Sequence, residues 1–155
     1  MVATPWLLGA HTAHVHGVGE LNIAVESSRI VLAFESPSES IYGFESEAKT
    51  AKQKKIKDEK LTILKTDMGK IFQIDADLKC DWKVEKVGVV QEGEVGHQNV
   101  RAEWIATCEK SPMGRSLKID FGSSFSRLKS LKVNVLKDSG QKSTTLKSAT
   151  GEIKF

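Results

Sequence analysis

The chain has 155 residues, a length typical of one domain. Hydrophobic residues make up 39% and charged residues 28%, a balance typical of a folded globular protein and too apolar for a disordered one. The net charge of +3 with neutral histidines is too small to indicate nucleic-acid binding. No apolar run approaches the roughly 18 residues of a membrane span, so the sequence excludes a spanning helix.

The first ten residues resemble only part of a targeting signal. They include apolar Trp6, Leu7 and Leu8, but they contain Pro5 and no Lys or Arg, so they do not form a complete secretory signal. Either the protein is cytoplasmic, or a signal peptide has been removed and Met1 is an addition. We expect residues 1–10 to be a flexible N-terminus and residues 11–155 to form one domain.

The next segment predicts a β-hairpin. Apolar residues alternate with polar ones from Ala13 to Val25, which is typical of a half-buried strand. Ser27 and Ser28 predict a tight turn, after which Arg29–Glu35 returns as the second strand and ends at Pro37.

Residues 47–73 predict an amphipathic helix. Lysines dominate one side and apolar residues recur at helical spacing on the other, over about 18 residues. Asp67 and Gly69 indicate a break, followed by a short second helix. Because Asp58 and Glu59 interrupt the lysine side, we interpret it as a solvated face rather than a phosphate-binding one.

The two cysteines lie in a second predicted hairpin, formed by residues 80–92 and 97–108. If its turn is centred on Glu94, Cys80 lies directly opposite Cys108. Opposed residues of antiparallel strands are about 4.5–5.5 Å apart at Cα, which a disulfide can bridge. A disulfide indicates an oxidising compartment and therefore a removed signal peptide. The alternative is two buried free thiols in a cytosolic protein.

The remaining chain predicts further strands at 117–121, 131–136, 141–146 and 152–155. With no alternation of strands and helices, the order indicates an α+β fold. We expect a mainly antiparallel β-sheet, with one long amphipathic helix inserted between the N-terminal hairpin and the disulfide-linked hairpin.

The histidines are the strongest candidates for chemistry. On a strand, His14 and His16 would project from the same side, because side chains alternate with a period of two. Two imidazoles placed in this way can bind one zinc ion, at Zn–N distances of about 2.0–2.1 Å. His11, His97 and Glu45 are the further candidate ligands. The alternative is exposed histidines with no role.

Other chemical motifs are absent from the sequence. It contains no C-x-x-C pair, no glycine-rich phosphate loop and no nucleophile elbow. We therefore predict that the protein is not an enzyme. Two alternatives stay open: a metal-dependent hydrolase using Glu20 or Glu45 as acid or base, and an interaction module that binds no metal.

Several motifs together resemble a known family. Ala13–Gly17 followed by Glu20–Val25 is similar to the opening of the periplasmic, zinc-regulated proteins associated with zinc uptake in Gram-negative bacteria, the ZrgA-like family. Supporting similarities extend to the end of the chain and include Glu35-Ser36-Pro37, Gly43-Phe44-Glu45, Cys80, Cys108, Leu131–Val135, Gly140-Gln141 and Leu146.

The resemblance implies a periplasmic protein that binds zinc and assists a zinc ABC uptake system, with the periplasmic component of that system as a partner. Two features depart from the family: Ser46 stands where members usually carry a histidine, and the region between the cysteines is short, with His97 as its one histidine. The resemblance therefore predicts a single zinc site that uses His14 and His16, not high-capacity capture. The oligomeric state is not predicted.

Overall fold

The computed structural model describes residues 15–93 and 96–155. Its elements, in chain order, are β1 (Val18–Glu26), β2 (Arg29–Pro37), α1 (Ser38–Tyr42), α2 (Ala51–Thr66), α3 (Met68–Ile71), β3 (Phe72–Ile74), a 3₁₀ turn (Ala76–Leu78), β4 (Cys80–Gln91), β5 (Gln98–Cys108), β6 (Ser116–Asp120), β7 (Ser130–Lys137), β8 (Gly140–Lys147) and β9 (Thr150–Lys154).

The strands form two sheets. The larger has six strands in the order β4-β5-β2-β1-β7-β8, and the smaller has three in the order β3-β6-β9. Strands β1 and β7 run parallel, and the other neighbours are antiparallel. The fold is thus mostly β-sheet with few helices, as the α+β prediction requires. The prediction that residues 11–155 form one domain stays a prediction.

The helical region is only partly as predicted. Helix α2 has 16 residues, but it is flanked by two short helices, so a single long helix does not describe the region. Thr50 begins α2 with a capping box, in which its hydroxyl accepts the Gln53 N–H at 3.1 Å and the Gln53 side chain accepts the Thr50 N–H at 3.2 Å. Asp67 separates α2 from α3, as the predicted break indicated.

The cysteine hairpin has the predicted register over its first half. Cys80 pairs with Cys108, and the two form a disulfide with 3.8 Å between their Cα atoms. Val84 pairs with Trp104, and an irregularity between Val84 and Lys86 then shifts the register by one residue. The prediction of a disulfide is confirmed, and the alternative of free thiols is wrong. The predicted turn centre at Glu94 lies outside the described residues.

The core lies between one face of the larger sheet and a layer made of α2 and the smaller sheet. Leu64 of α2 is fully buried, and its carbonyl accepts the indole N–H of Trp104 at 2.9 Å. This bond satisfies a carbonyl in the last turn of the helix. Phe34 stacks on Phe121 with ring centroids 4.5 Å apart, which joins the larger sheet to the second layer.

Strand pairing gathers several chain segments at one end of the larger sheet. Glu20, near the start of β1, pairs with Glu35, near the end of β2, and Pro37 pairs with Asn99, near the start of β5. Residues 15–17 before β1, helix α1 after β2, and residues 96–97 before β5 therefore lie together. Within the described ranges, no helix combines the length and the hydrophobicity required to cross a lipid bilayer.

Candidate metal centre

The carboxylate of Glu45 lies between two imidazoles at this end of the sheet. Its Oε1 contacts Nε2 of His16, and its Oε2 lies 3.2 Å from Nδ1 of His97. The side chains of His16, His97 and Glu45 are 57%, 48% and 26% exposed. The cluster is therefore open to solvent, with the carboxylate the most enclosed of the three groups.

Glu39 lies on the other side of the His16 ring. Its Oε2 is 4.0 Å from Nδ1 of His16, while its Oε1 is 3.3 Å from a guanidinium nitrogen of Arg127. Metal-binding histidines commonly have their second ring nitrogen oriented by a carboxylate. Glu39 is placed for that role, although 4.0 Å is longer than a hydrogen bond.

His16 lies in a turn and not on a strand, which corrects the prediction that it projects from an extended segment. Gly17 has a φ of +80°, a left-handed conformation that a strand does not have. The Gly17 N–H donates to the Ser40 hydroxyl at 2.8 Å, and its carbonyl accepts the N–H groups of Lys129 at 2.7 Å and Ser130 at 3.0 Å. The turn is thus fixed from two sides.

The segment that carries Glu45 is fixed by the end of helix α1. Gly43 ends the helix in a left-handed conformation with a φ of +94°, and its N–H donates to the Glu39 carbonyl at 2.9 Å. The Ser38 hydroxyl donates to the Phe44 carbonyl at 2.8 Å, with the Glu45 carbonyl at 3.4 Å. These bonds set the backbone from which the Glu45 side chain reaches the imidazoles.

His97 lies just before β5, next to a charged network. Its carbonyl accepts the Glu92 N–H at 3.0 Å. Arg101 joins Glu92, at 2.5 Å, to Glu35, at 2.8 Å, and Glu35 also accepts from the Asn99 amide at 2.7 Å. The hydrogen bond to Glu35 raises the pKa of Arg101 above its ordinary value. These bonds hold the start of β5, and with it the neighbouring His97, against the end of β2.

The structure brings together three of the five predicted metal ligands: His16, Glu45 and His97. His11 and His14 lie outside the described residues, so the predicted pairing of His14 with His16 stays a prediction. Glu20, the other acidic candidate, accepts a hydrogen bond from Asn134 at 2.8 Å.

The cluster is not a ready-made metal site. Among residues 15–93 and 96–155, no group of three or more His, Cys, Asp or Glu side chains is arranged to hold a metal ion. The Glu45 oxygens contact the imidazole nitrogens directly, rather than sharing a central point with them. Two imidazoles and a carboxylate nevertheless form a donor set that suits zinc, and imidazoles also suit copper and nickel.

The sequence analysis missed the residues that hold this cluster in place. Ser38, Ser40 and Glu39 lie in a helix of five residues, which is too short to show a hydrophobic period. Serines that follow a strand usually indicate a surface turn, but the side chains of Ser38 and Ser40 are both 0% exposed. The alternating serines of residues 36–40 are visible in the sequence, but their role in holding the cluster depends on tertiary contacts that the sequence does not show.

Comparison with known families supports the resemblance stated from the sequence. A family model described as "ZrgA family zinc uptake protein" matches residues 13–155. The chain belongs to the ZrgA family. No curated protein matches the chain. Its family connects the protein with zinc uptake, and the match covers nearly the whole chain, including His14, His16, Glu45 and His97.

Proposed function

We propose that this ZrgA family member is a zinc-binding protein of the periplasm that assists zinc acquisition. The observation that carries the proposal is the contact of one carboxylate, Glu45, with two imidazoles, those of His16 and His97. In a family named for zinc uptake, this cluster is the best-supported place for the metal. His14 and His11 are the candidates for a further ligand.

The exposure of the cluster favours zinc as cargo rather than as a structural ion. Structural zinc sites are closed by four protein ligands and contribute folding energy. Here His16 and His97 are about half exposed, and the fold already has an extensive core and a disulfide. An open site permits entry and release of the ion, as a zinc chaperone or an accessory of an uptake system requires.

The same proposal covers location and partners. The Cys80–Cys108 disulfide supports an oxidising compartment such as the bacterial periplasm. The proposed partner is the periplasmic component of a zinc ABC transporter, to which the protein would pass its ion. The proposed role is not enzymatic, since it requires only binding and release.

Zinc titration of chelator-treated protein tests this proposal. The wild-type chain is expected to bind about one zinc ion, and Glu45→Gln and the double variant His14→Ala/His16→Ala are expected to lose that binding. Glu47→Gln is the matched control, because Glu47 is an exposed carboxylate two residues away. Absence of zinc binding, or binding that is unchanged in both variants, would refute the proposal.

A second function competes with the first: a non-enzymatic interaction module that has lost strong metal binding. It is favoured by the absence, within the described ranges, of a group of three ligands arranged around one point. Ser46, in place of the histidine usual in the family, agrees with it. The same titration separates the two, because an interaction module that has lost strong metal binding would take up no stoichiometric zinc.

A further inference from the structure

Three buried serines follow one another at alternate positions where β2 passes into α1. Ser36, Ser38 and Ser40 are 1%, 0% and 0% exposed. Buried hydroxyl groups require hydrogen-bond partners, and each of these serines has one. Ser36 donates to the Val18 carbonyl at 3.2 Å, and the other two bond to the segments that carry the candidate ligands.

Ser40 and Ser38 connect two of the three candidate ligands to the same helix. The Ser40 hydroxyl accepts the N–H of Gly17, the residue that directly follows His16. The Ser38 hydroxyl donates to the carbonyl of Phe44, the residue that directly precedes Glu45. Neither ligand lies in a strand or a helix, so the position of each depends on bonds to neighbouring segments, and these side-chain bonds are among them.

We propose that Ser38 and Ser40 are positioning residues of the zinc site, which fix Glu45 and His16 relative to each other before the metal arrives. This inference rests on the proposed function. The two ligand-bearing segments are joined through serines that are two residues apart, within less than one turn of α1. A metal site tolerates only small displacements of its ligands, so loosening either segment should weaken zinc binding.

The chain provides a matched control in Ser36. It is equally buried and, like Ser38, donates to a backbone carbonyl, but its partner Val18 is a residue of strand β1, whereas Gly17 and Phe44 lie in the irregular segments that carry the ligands. Ser36→Ala should therefore cost stability without loosening a ligand. Ser38→Ala and Ser40→Ala should each weaken zinc affinity by about tenfold relative to Ser36→Ala.

A thermodynamic cycle separates positioning from general destabilisation. In a His16→Ala background, Ser40→Ala should cause no further loss of zinc affinity, because the ligand that Ser40 positions is gone. Ser40→Thr, which keeps a hydroxyl, should restore most of the affinity. Amide exchange adds a metal-free measurement: the Gly17 N–H should exchange faster in Ser40→Ala and at the wild-type rate in Ser36→Ala.

The outcomes are distinct. If wild-type protein binds no zinc, the proposed function fails. If zinc binding depends on His16 and Glu45 but is the same in all three serine variants, the positioning role is wrong and the proposed function stands. Should one of the two alanine variants fail to fold, the other carries the comparison with Ser36→Ala, since Ser38 and Ser40 hold different ligand-bearing segments.

Discussion

Glu45 Oε2 lies 3.2 Å from His97 Nδ1, although one residue follows helix α1 and the other precedes strand β5. Only the folded sheet joins these two segments. If both side chains bind the same ion, His97→Ala should lower zinc affinity at least about tenfold, which is the minimum typical even for residues that only support a ligand. Competition with a chelating dye measures this loss, and an unchanged affinity would remove His97 from the site.

Zinc affinity should depend on pH. An imidazole must be neutral to bind a metal, and histidine side chains in general take up protons as the pH falls through about 6–7. We expect zinc to bind tightly at pH 7.5 and much more weakly at pH 5, as measured by titration calorimetry at each pH. Equal affinity at the two values would argue against histidine ligands.

The disulfide should stabilise the fold without being required for zinc binding. A bond that closes a separation of 28 residues removes unfolded-state entropy worth roughly 3–4 kcal/mol. The double variant Cys80→Ala/Cys108→Ala should lose about that free energy of unfolding in urea. Because Cys108 lies at the opposite end of β5 from His97, the folded variant should bind zinc as the wild type does. A loss below about 1 kcal/mol would contradict the entropy argument.

Asp120 should make the protein less stable in acid. The Ser123 hydroxyl, which donates to the carboxylate at 2.6 Å, holds the pKa of Asp120 below its ordinary value. The Ser123 backbone N–H and the Thr150 hydroxyl each add a further bond at 3.0 Å. A lowered native pKa contributes stability above the ordinary value of about 3.9, and that stability is lost as the pH falls through the native pKa.

Ser123→Ala tests this assignment, because it removes the main cause of the lowered pKa. The difference in unfolding free energy between pH 7 and pH 3 should be smaller in the variant than in the wild type. Ser139→Ala, in the exposed turn between β7 and β8, should leave the difference unchanged. If both variants behave like the wild type, the Ser123 hydroxyl is not what lowers the pKa of Asp120.

The elements with regular patterns could be predicted from the sequence. The alternation of apolar and polar residues predicted the β1–β2 hairpin. A turn centred on Glu94 placed Cys80 opposite Cys108 and so predicted the initial register of β4 and β5, because the turn of a hairpin sets the pairing of its strands. The later register shift at Val84 was not predicted, although the apolar residues that pack on the core change there from even positions, Trp82 and Val84, to odd ones, Val87 and Val89, as an extra residue in a strand requires.

The residues of the candidate site could be predicted from the sequence, but the contacts between them could not. His16, His97 and Glu45 were selected for their ligand chemistry, yet the expected partner of His16 was the neighbouring His14 and not the distant Glu45. The contact with Glu45 depends on helix α1, the left-handed Gly43 and the buried Ser38. These features depend on tertiary packing, and no hydrophobic period marks them.

X-ray absorption at the zinc edge, on the one-to-one zinc complex, tests the central claim most directly. The account predicts only nitrogen and oxygen neighbours at about 2.0–2.2 Å, with at least two imidazoles, and one imidazole fewer in the His97→Ala complex. Sulfur at about 2.3 Å, or a wild-type spectrum identical to that of His97→Ala, would contradict it.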